Sequence, residues 1–597
     1  MSGSASNLSS PQYGYDVVVA VTQASINATL RQYLSTVQAP VINICYVLDA
    51  NGNPTQIGYE QLMSSSNGTD PFTVPTGADP NGAHVQNLMK ARFVAGFKAQ
   101  LGLPQVPDGA SLPDIVTLTS DISNVQFNML CSEFVICELS GLYSAPSFAS
   151  MSQPSGSLWC MQATVNLSLS TMEASGFSSL PPAIKAQIMS MDGTGFSIQQ
   201  LLFDLNSVKL AKPPTIPNLS PTSQPSQLLE QCFTGAYFSA MQTGGLPLLG
   251  CSIVPPMGNP SSLTMTDMNV MVNPYVGTSG EPQSNPSDLQ QSLSTLNYLC
   301  AVDNDKLPPN VQFGWNWLEA SDLSTSDGIL AMNRNCLRNY FVERLRSYIP
   351  TVCFKVNAHC DTDFLSCNMS VDLSAGGQPT LDEAAGATVL SYSYNASDSD
   401  QAGNEGQLGQ LRVGSAFNMT VQFVNSNGNA TVIITQHLVI NCDVKIKLTQ
   451  AAGNLVDKTV IDTYTLAVDN NGKLGVTLDM VMSDNSDTTT MGVFQDFFTG
   501  SDEVTGVIKA QGEALASTNI HDIPLSTMQD YVFPGGQIFT FKDSRFSENQ
   551  DLLSSITYVD PTSSPPTVMV SIPWCGNTEF EWYIWAVNEM KAVHQVG

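Results

Sequence analysis

One pattern occurs twice in this chain, and it limits the fold more than any other feature. Gln12-Tyr13-Gly14-Tyr15-Asp16 and Gln312-Phe313-Gly314-Trp315-Asn316 both read Gln, aromatic, Gly, aromatic, Asp or Asn. Each leads into a short apolar run, at Asp16–Thr22 and at Asp327–Asn333, with Trp317–Ser326 inserted in the second copy only. Thr22 and Asn333 then offer N-cap side chains. Apolar residues follow at helical spacing, Ile26, Leu30 and Leu34 in one copy and Leu337, Phe341 and Leu345 in the other. Spacing of i, i+4, i+8 predicts a helix with one apolar stripe. The polar faces differ: Asn27, Arg31 and Gln32 against Arg338, Asn339 and Glu343. A shared stripe with unlike polar faces predicts two related halves whose helices pack on similar surroundings.

The rest of each half reads as β. Ser415–Val424 alternates, with Phe417, Met419, Val421 and Phe423 on one face, and Asn427-Gly428 marks a hairpin. Ala430–Leu448 continues without Pro or Gly, which predicts one strand far longer than the usual ~5–6 residues. Thr459–Val468 and Lys473–Met482 form a second hairpin across Asp469–Gly472, and Asn124–Leu139 and Leu158–Met172 read as further long strands. Long antiparallel strands curl, because sheets twist. The inner face of such a sheet needs a cover, and the striped helices are candidates. Pro225–Gln242 and Glu503–Ala516 read as further helices. The boundaries follow: 1–256, a strand-containing connector at 257–310 with strands at Ser261–Val272 and Leu293–Val302, and 311–597.

Composition removes several function classes. Charged residues make up 12% of the 597, about half the usual ~25%, so amides and hydroxyls must supply the polar surface. The formal net charge is −29, and Arg334, Arg338, Arg344 and Arg346 are the densest basic stretch. A nucleic-acid partner needs a basic footprint, and adhesion to an anionic membrane needs polybasic segments. Neither is present. No apolar run approaches the ~18 residues of a membrane-spanning helix, and the first residues lack a secretory leader pattern, so a soluble, cytoplasmic chain is expected, with unconventional release as the other route. The 13 Cys are scattered, with no CxxC, and read as buried free thiols.

Chemistry-bearing motifs are sparse. His359-Cys360-Asp361 lacks a second ligand pair for a metal. Asp49-Ala-Asn51-Gly-Asn53 starts like a calcium loop, with Glu60 at position 12, but Pro54 stands where the loop needs Gly, which favours a plain β-turn. Asp398-Ser-Asp400 with Asn404-Glu405 reads as a solvated loop, and the aromatic Trp574–Trp585 region as strand packing. No nucleotide, zincin or serine-hydrolase motif occurs, so no enzyme, cofactor or metal is expected.

Three stretches carry a family resemblance. YGYDVVVAVTQASINATLRQYL, FGWNWLEAS…DGILAMNRN and MQDYVFPGGQIFTFKDSRFSENQDL (Met528–Leu552) resemble the P-forty-seven proteins of clostridial neurotoxin gene clusters and their bacterial and fungal relatives. That family is similar to the tubular lipid-binding (TULIP) superfamily, which includes bactericidal permeability-increasing protein (BPI). The resemblance implies an α+β fold of two tandem lobes, each a long helix wrapped by a strongly bent antiparallel sheet around an apolar groove. It implies lipid binding, with phosphoinositide binding and a toxin-accessory role suggested for the P-forty-seven branch. The stripe residues Ile26, Leu30, Leu34, Leu337, Phe341 and Leu345 then either line the groove or plug it. Two readings remain open: a binder of lipid or another apolar ligand, or a structural protein with dry lobes and a protein or homo-oligomeric partner.

Overall fold

The computed structural model describes residues 2–36, 41–106, 111–153, 158–171, 197–212, 222–232, 248–254, 263–363, 366–383, 386–487, 501–520, 523, 531–533 and 537–558. The chain is β-rich, and among the described residues its strands form antiparallel sheets of thirteen, six, five and two strands, none closed.

The two copies of the repeated pattern lie side by side. Val17–Thr22 pairs antiparallel with Gly328–Met332 near one end of the thirteen-stranded sheet, with Val19 opposite Leu330. Their outer neighbours are Thr295–Val302 on one side and Leu552–Tyr558 on the other. Corresponding residues exchange corresponding hydrogen bonds. The Thr22 N–H donates to the Asp327 carbonyl at 2.9 Å, and the Asn333 N–H donates to the Asp16 carbonyl at 2.8 Å. The Asp16 carboxylate accepts from the Val302 N–H at 3.0 Å, and the Asp327 carboxylate from the Tyr558 N–H at 2.9 Å.

Burial on both faces explains the unbroken apolar run Val17–Val21. Val17, Val19 and Val21 enter the main core beneath the helices, while Val18 and Ala20 face a second core on the other side. That second core is built from the Gln–aromatic–Gly–aromatic segments themselves. Tyr13, Phe313, Trp315 and Trp317 stack edge-on or tilted at centroid distances of 5.0–5.5 Å. The Tyr15 hydroxyl donates to the Pro309 carbonyl and accepts from the Val311 N–H, and the Tyr13 hydroxyl accepts from the Gly314 N–H. The aromatics of the first copy thus anchor the backbone that carries the second. Part of the insertion, Trp317 and Leu318, also enters this core.

The six-stranded sheet holds the longest strands: Thr388–Ala402, Gly409–Ser426, Asn429–Ile446, Thr449–Val468 and Leu474–Asp484 in consecutive hairpins. Asn427 and Gly428 turn the first tight hairpin with φ of 51° and 80°, the left-handed pair that such a turn requires. The next turn departs from expectation. The run read as Ala430–Leu448 ends at Ile446, and Lys447-Leu448 forms a two-residue turn, with Ile446 paired to Thr449. No Gly or Pro marks it, which hid it in the sequence. The Asp398–Asp400 stretch is strand, not a solvated loop. Its carboxylates accept from the N–H groups of Ala358 and Cys360, tying the Phe354–Asp363 strand to this sheet.

The stretch expected as one strand over Asn124–Leu139 breaks at buried Leu130. Asn124–Met129 belongs to the thirteen-stranded sheet, and Cys131–Ser140 to the five-stranded one. Asp49 caps a hairpin turn, accepting from the N–H groups of Asn51 and Asn53, as the β-turn reading requires. Met265–Asn273 and Thr295–Val302, read as connector strands, pair with each other and form one end of the thirteen-stranded sheet. The helix expected over Glu503–Ala516 spans Ser501–Ala514, and the one expected over Pro225–Gln242 is seen at Gln224–Gln231, with 233–242 outside the described residues.

Candidate apolar interior

The first stripe sits on the Gln23–Thr36 helix. Thr22 caps it, its hydroxyl accepting from the Ser25 N–H at 3.2 Å. Ile26, Leu30 and Leu34 are buried and join the main core. The polar side of this helix is used in a way its sequence did not reveal. Asn27 is fully buried, donating to the Val116 carbonyl at 2.8 Å and accepting from the Val116 N–H at 2.9 Å. Gln23 accepts from the Leu118 N–H and donates to Asp114, and Arg31 pairs with Asp114 at 3.0 Å. These side chains take the place of a neighbouring strand along Val116–Leu118, the last strand of the thirteen-stranded sheet, and so cover an open edge. The helix therefore links a strand near one end of the sheet to the strand at its other end. The opposite edge strand, Met265–Asn273, comes round to the same region, where the Val272 N–H donates to the Ile122 carbonyl.

The second stripe sits on the Arg334–Leu345 helix, capped by Asn333 accepting from the Asn335 N–H at 2.8 Å. Leu337, Phe341 and Leu345 are buried in the same continuous core as the first stripe. This helix is held by other means. Phe341 packs 6.0 Å from Phe423, which stacks on Phe546 at 4.9 Å. Arg338 reaches Glu383 at 2.7 Å, and the Arg344 guanidinium lies over the Tyr340 ring. At 14 and 12 residues both helices are short beside the 20-residue strand Thr449–Val468.

The long sheet completes the interior. Alternate residues put Phe417, Met419, Val421 and Phe423, then Val432, Ile434 and Leu438, then Val460, Tyr464 and Leu466 into the core. The Ser501–Ala514 helix lies against the Thr449–Val468 strand. It approaches so closely at Gly512 that a Cβ there would meet Val456 at 3.0 Å. The same face continues onto the edge strand Leu474–Asp484. Val476 and Leu478 pack against the core, but Met480 and Met482 are each 47% exposed. The apolar face of the long sheet therefore runs on past the core to exposed side chains along this edge, where Val481 on the other face is exposed as well.

Three polar residues interrupt the pattern: Ser415 between Val413 and Phe417, Gln436 between Ile434 and Leu438, and Asp462 between Val460 and Tyr464. The last two are fully buried. Their signal in the sequence is an inward position filled by an amide or a carboxylate within strict alternation.

Other candidates resolve into structural roles. His359 pairs with Asp372 across a hairpin at 2.7 Å, and Cys360 donates to the Asp400 carbonyl. Among the described residues no group of three or more His, Cys, Asp or Glu converges on one point, and no helix is long and apolar enough to cross a membrane. Eleven Cys are free thiols, most of them buried. Burial pushes Cys45 and Cys137 up to about 12, which keeps both unreactive. The Trp574–Trp585 region lies outside the described residues.

No family model and no curated protein matches the chain. Among solved structures it is similar to members of two groups, P47 and lipopolysaccharide binding protein. P47 of Clostridium botulinum E1 shares 11% identity over 91% of this chain and 98% of its own, with a TM-score of 0.39. P47 from Clostridium botulinum A2 shares 11% identity over 91% and 97%, with a TM-score of 0.37. For lipopolysaccharide binding protein the values are 9%, 92% and 99%, with a TM-score of 0.27.

Proposed function

We propose that this protein is a non-enzymatic binder of a lipid or another apolar ligand. The carrying observation is one apolar core that receives both helix stripes and the inner face of the long sheet, a face that runs on to exposed Met480 and Met482. Ligand sites of this kind are mostly apolar, with few polar groups. In this reading Ile26, Leu30, Leu34, Leu337, Phe341 and Leu345 border the space a ligand enters. The chain comprises two tandem lobes, 1–256 and 311–597, each a helix wrapped by a bent sheet, with 257–310 carrying strands between them. The curl that brings the Val116 and Met265 edges together around the Gln23 helix supports the wrapped arrangement in the first lobe. Free, inert thiols fit a reducing, cytoplasmic setting.

A closed structural role is the second reading, favoured by the low exposure of the six stripe residues, all 6% or below. Native mass spectrometry of the purified full chain, before and after incubation with phospholipid and fatty-acid mixtures, separates the two. Bound lipid supports the first. Neither co-purified nor added lipid on a monomeric, folded chain would sink it, and a defined oligomer without lipid would support the second.

A further inference from the structure

We propose that Asp462 and Gln436 bind the polar end of an amphiphile whose headgroup donates hydrogen bonds, a hydroxyl or an ammonium, with its tail against the Met480–Met482 edge. This rests on the lipid-binding reading above and narrows it to a headgroup class.

The two residues are neighbours by register. Asp462 stands opposite Ile434 on one side and Met480 on the other, and Val460 stands opposite Gln436 and Met482. Opposed residues of an antiparallel pair share a face. The buried amide and carboxylate therefore occupy the rows that end at the two exposed methionines. Both side chains reach the short segment that follows the Ser501–Ala514 helix. The Gln436 Nε2 donates to the Ala516 carbonyl at 3.0 Å. Asp462 Oδ2 accepts from the Thr518 N–H at 2.7 Å and from its hydroxyl at 2.8 Å.

These bonds fix what is left over. With its nitrogen held by Ala516, Gln436 presents Oε1, and with Oδ2 taken by Thr518, Asp462 presents Oδ1. Neither oxygen has a hydrogen-bond partner among the described residues, and both are buried. No Lys, Arg or His among the described residues pairs with Asp462. A buried acceptor without a donor is costly, and a buried carboxylate oxygen more so. Two such acceptors in one apolar interior select a donor. A carboxylate or phosphate headgroup would set acceptor against acceptor, whereas an alcohol or ammonium satisfies both. Methionine suits the entry, because its unbranched, polarizable side chain adapts to varied apolar shapes.

The test uses the full chain and three single-chain ligands with the same tail length: hexadecylamine, monopalmitoylglycerol and palmitate. Each displaces a fluorescent fatty probe below its micellar concentration, with direct detection by native mass spectrometry. The amine and the glyceride should bind about ten-fold or more tightly than palmitate, and Asp462→Asn should erase most of the amine's advantage. A surface control, Asp443→Asn, should leave it intact. Palmitate binding as tightly as the others, or an amine preference untouched by Asp462→Asn or equally lost in the surface control, would overturn the assignment while leaving lipid binding standing. Binding of none of the three would overturn the lipid-binding reading itself. Should Asp462→Asn fail to fold, Met480→Arg at the half-exposed edge carries the test. It should slow uptake of the amine and the glyceride several-fold, and unchanged uptake would refute entry at this edge.

Discussion

The two copies of the repeated segment present the same apolar stripe to one core, yet they are fastened by different chemistry. The Gln23 helix is held mainly by amides that imitate a strand, with Asn27 satisfying both backbone groups of Val116 and one exposed ion pair, Arg31 on Asp114, beside them. The Arg334 helix is held by ring packing and by charge, through Phe341 on Phe423 and Arg338 on Glu383. The copies also differ at their leading aspartates. Asp16 lies near Asp303 and Asp305, while Asp327 accepts from the Ser25 hydroxyl as well as from Tyr558. An apolar stripe tolerates many partners because burial is non-directional. Polar attachments are specific, so they are where related copies become different.

Substitutions that remove one attachment at a time sharpen this contrast. The largest expected effect is Phe341→Ala, which opens a cavity where the second helix meets the long sheet and should cost about 3–5 kcal/mol in urea unfolding. A loss below ~1 kcal/mol would show that the helix is not held by this ring. Asp16→Asn should act in the opposite direction. Burial, aided by Asp305 and Asp303 and opposed by the Val302 N–H, raises this carboxyl from 3.8 to about 7. A folded-state value above the unfolded one favours folding at low pH, and that contribution disappears as pH rises from about 3.8 to about 7. The asparagine still accepts from Val302 but does not ionise. Relative to wild type, the variant should gain stability on the order of 4 kcal/mol between acid and pH 8, read as a flatter melting temperature against pH. An unchanged profile would place the cost elsewhere.

Asn27→Ala leaves the Val116 N–H and carbonyl buried without their partner and should cost about 2–3 kcal/mol. Hydrogen exchange at Val116 and Leu118 should rise with it, and unaltered exchange there would refute the strand-like role of this helix. Arg338→Ala should have the smallest effect, below ~1 kcal/mol, because Glu383 is 54% exposed. Its loss should shrink further in high salt. A larger, salt-insensitive loss would mean that the arginine's stem, not its charge, does the fastening.

Periodicity made much of the interior readable. The stripes at Ile26–Leu34 and Leu337–Leu345 and the alternation over Phe417–Phe423 each report burial directly, since one residue's polarity reflects one residue's surroundings. The Asn427-Gly428 turn was readable for a local reason, the left-handed backbone those residues accept. What escaped depends on distant residues. Nothing near Asn27 says that its amide meets Val116, and nothing near Leu130 says that the chain changes sheets there. Lys447-Leu448 turns without turn residues because the pairing of two long strands dictates where the turn falls. The donor-seeking pair at Gln436 and Asp462 was visible only as two breaks in alternation, and the partners that fix its polarity lie at 516–518.

The paired bonds between Thr22 and Asp327, and between Asn333 and Asp16, set a timetable for synthesis. The inner strand Val17–Thr22 finds its neighbours only at Thr295–Val302 and Gly328–Met332. At ~5–20 residues per second, the ribosome leaves that apolar strand without either partner for roughly 15–60 s. The Ser6 hydroxyl waits longer still, for Asp551. An unpaired VVVAV segment is an aggregation hazard for that whole interval. A half-length chain ending before residue 295 should accumulate as aggregate, and its recovery should depend on chaperone supply far more than that of the complete protein.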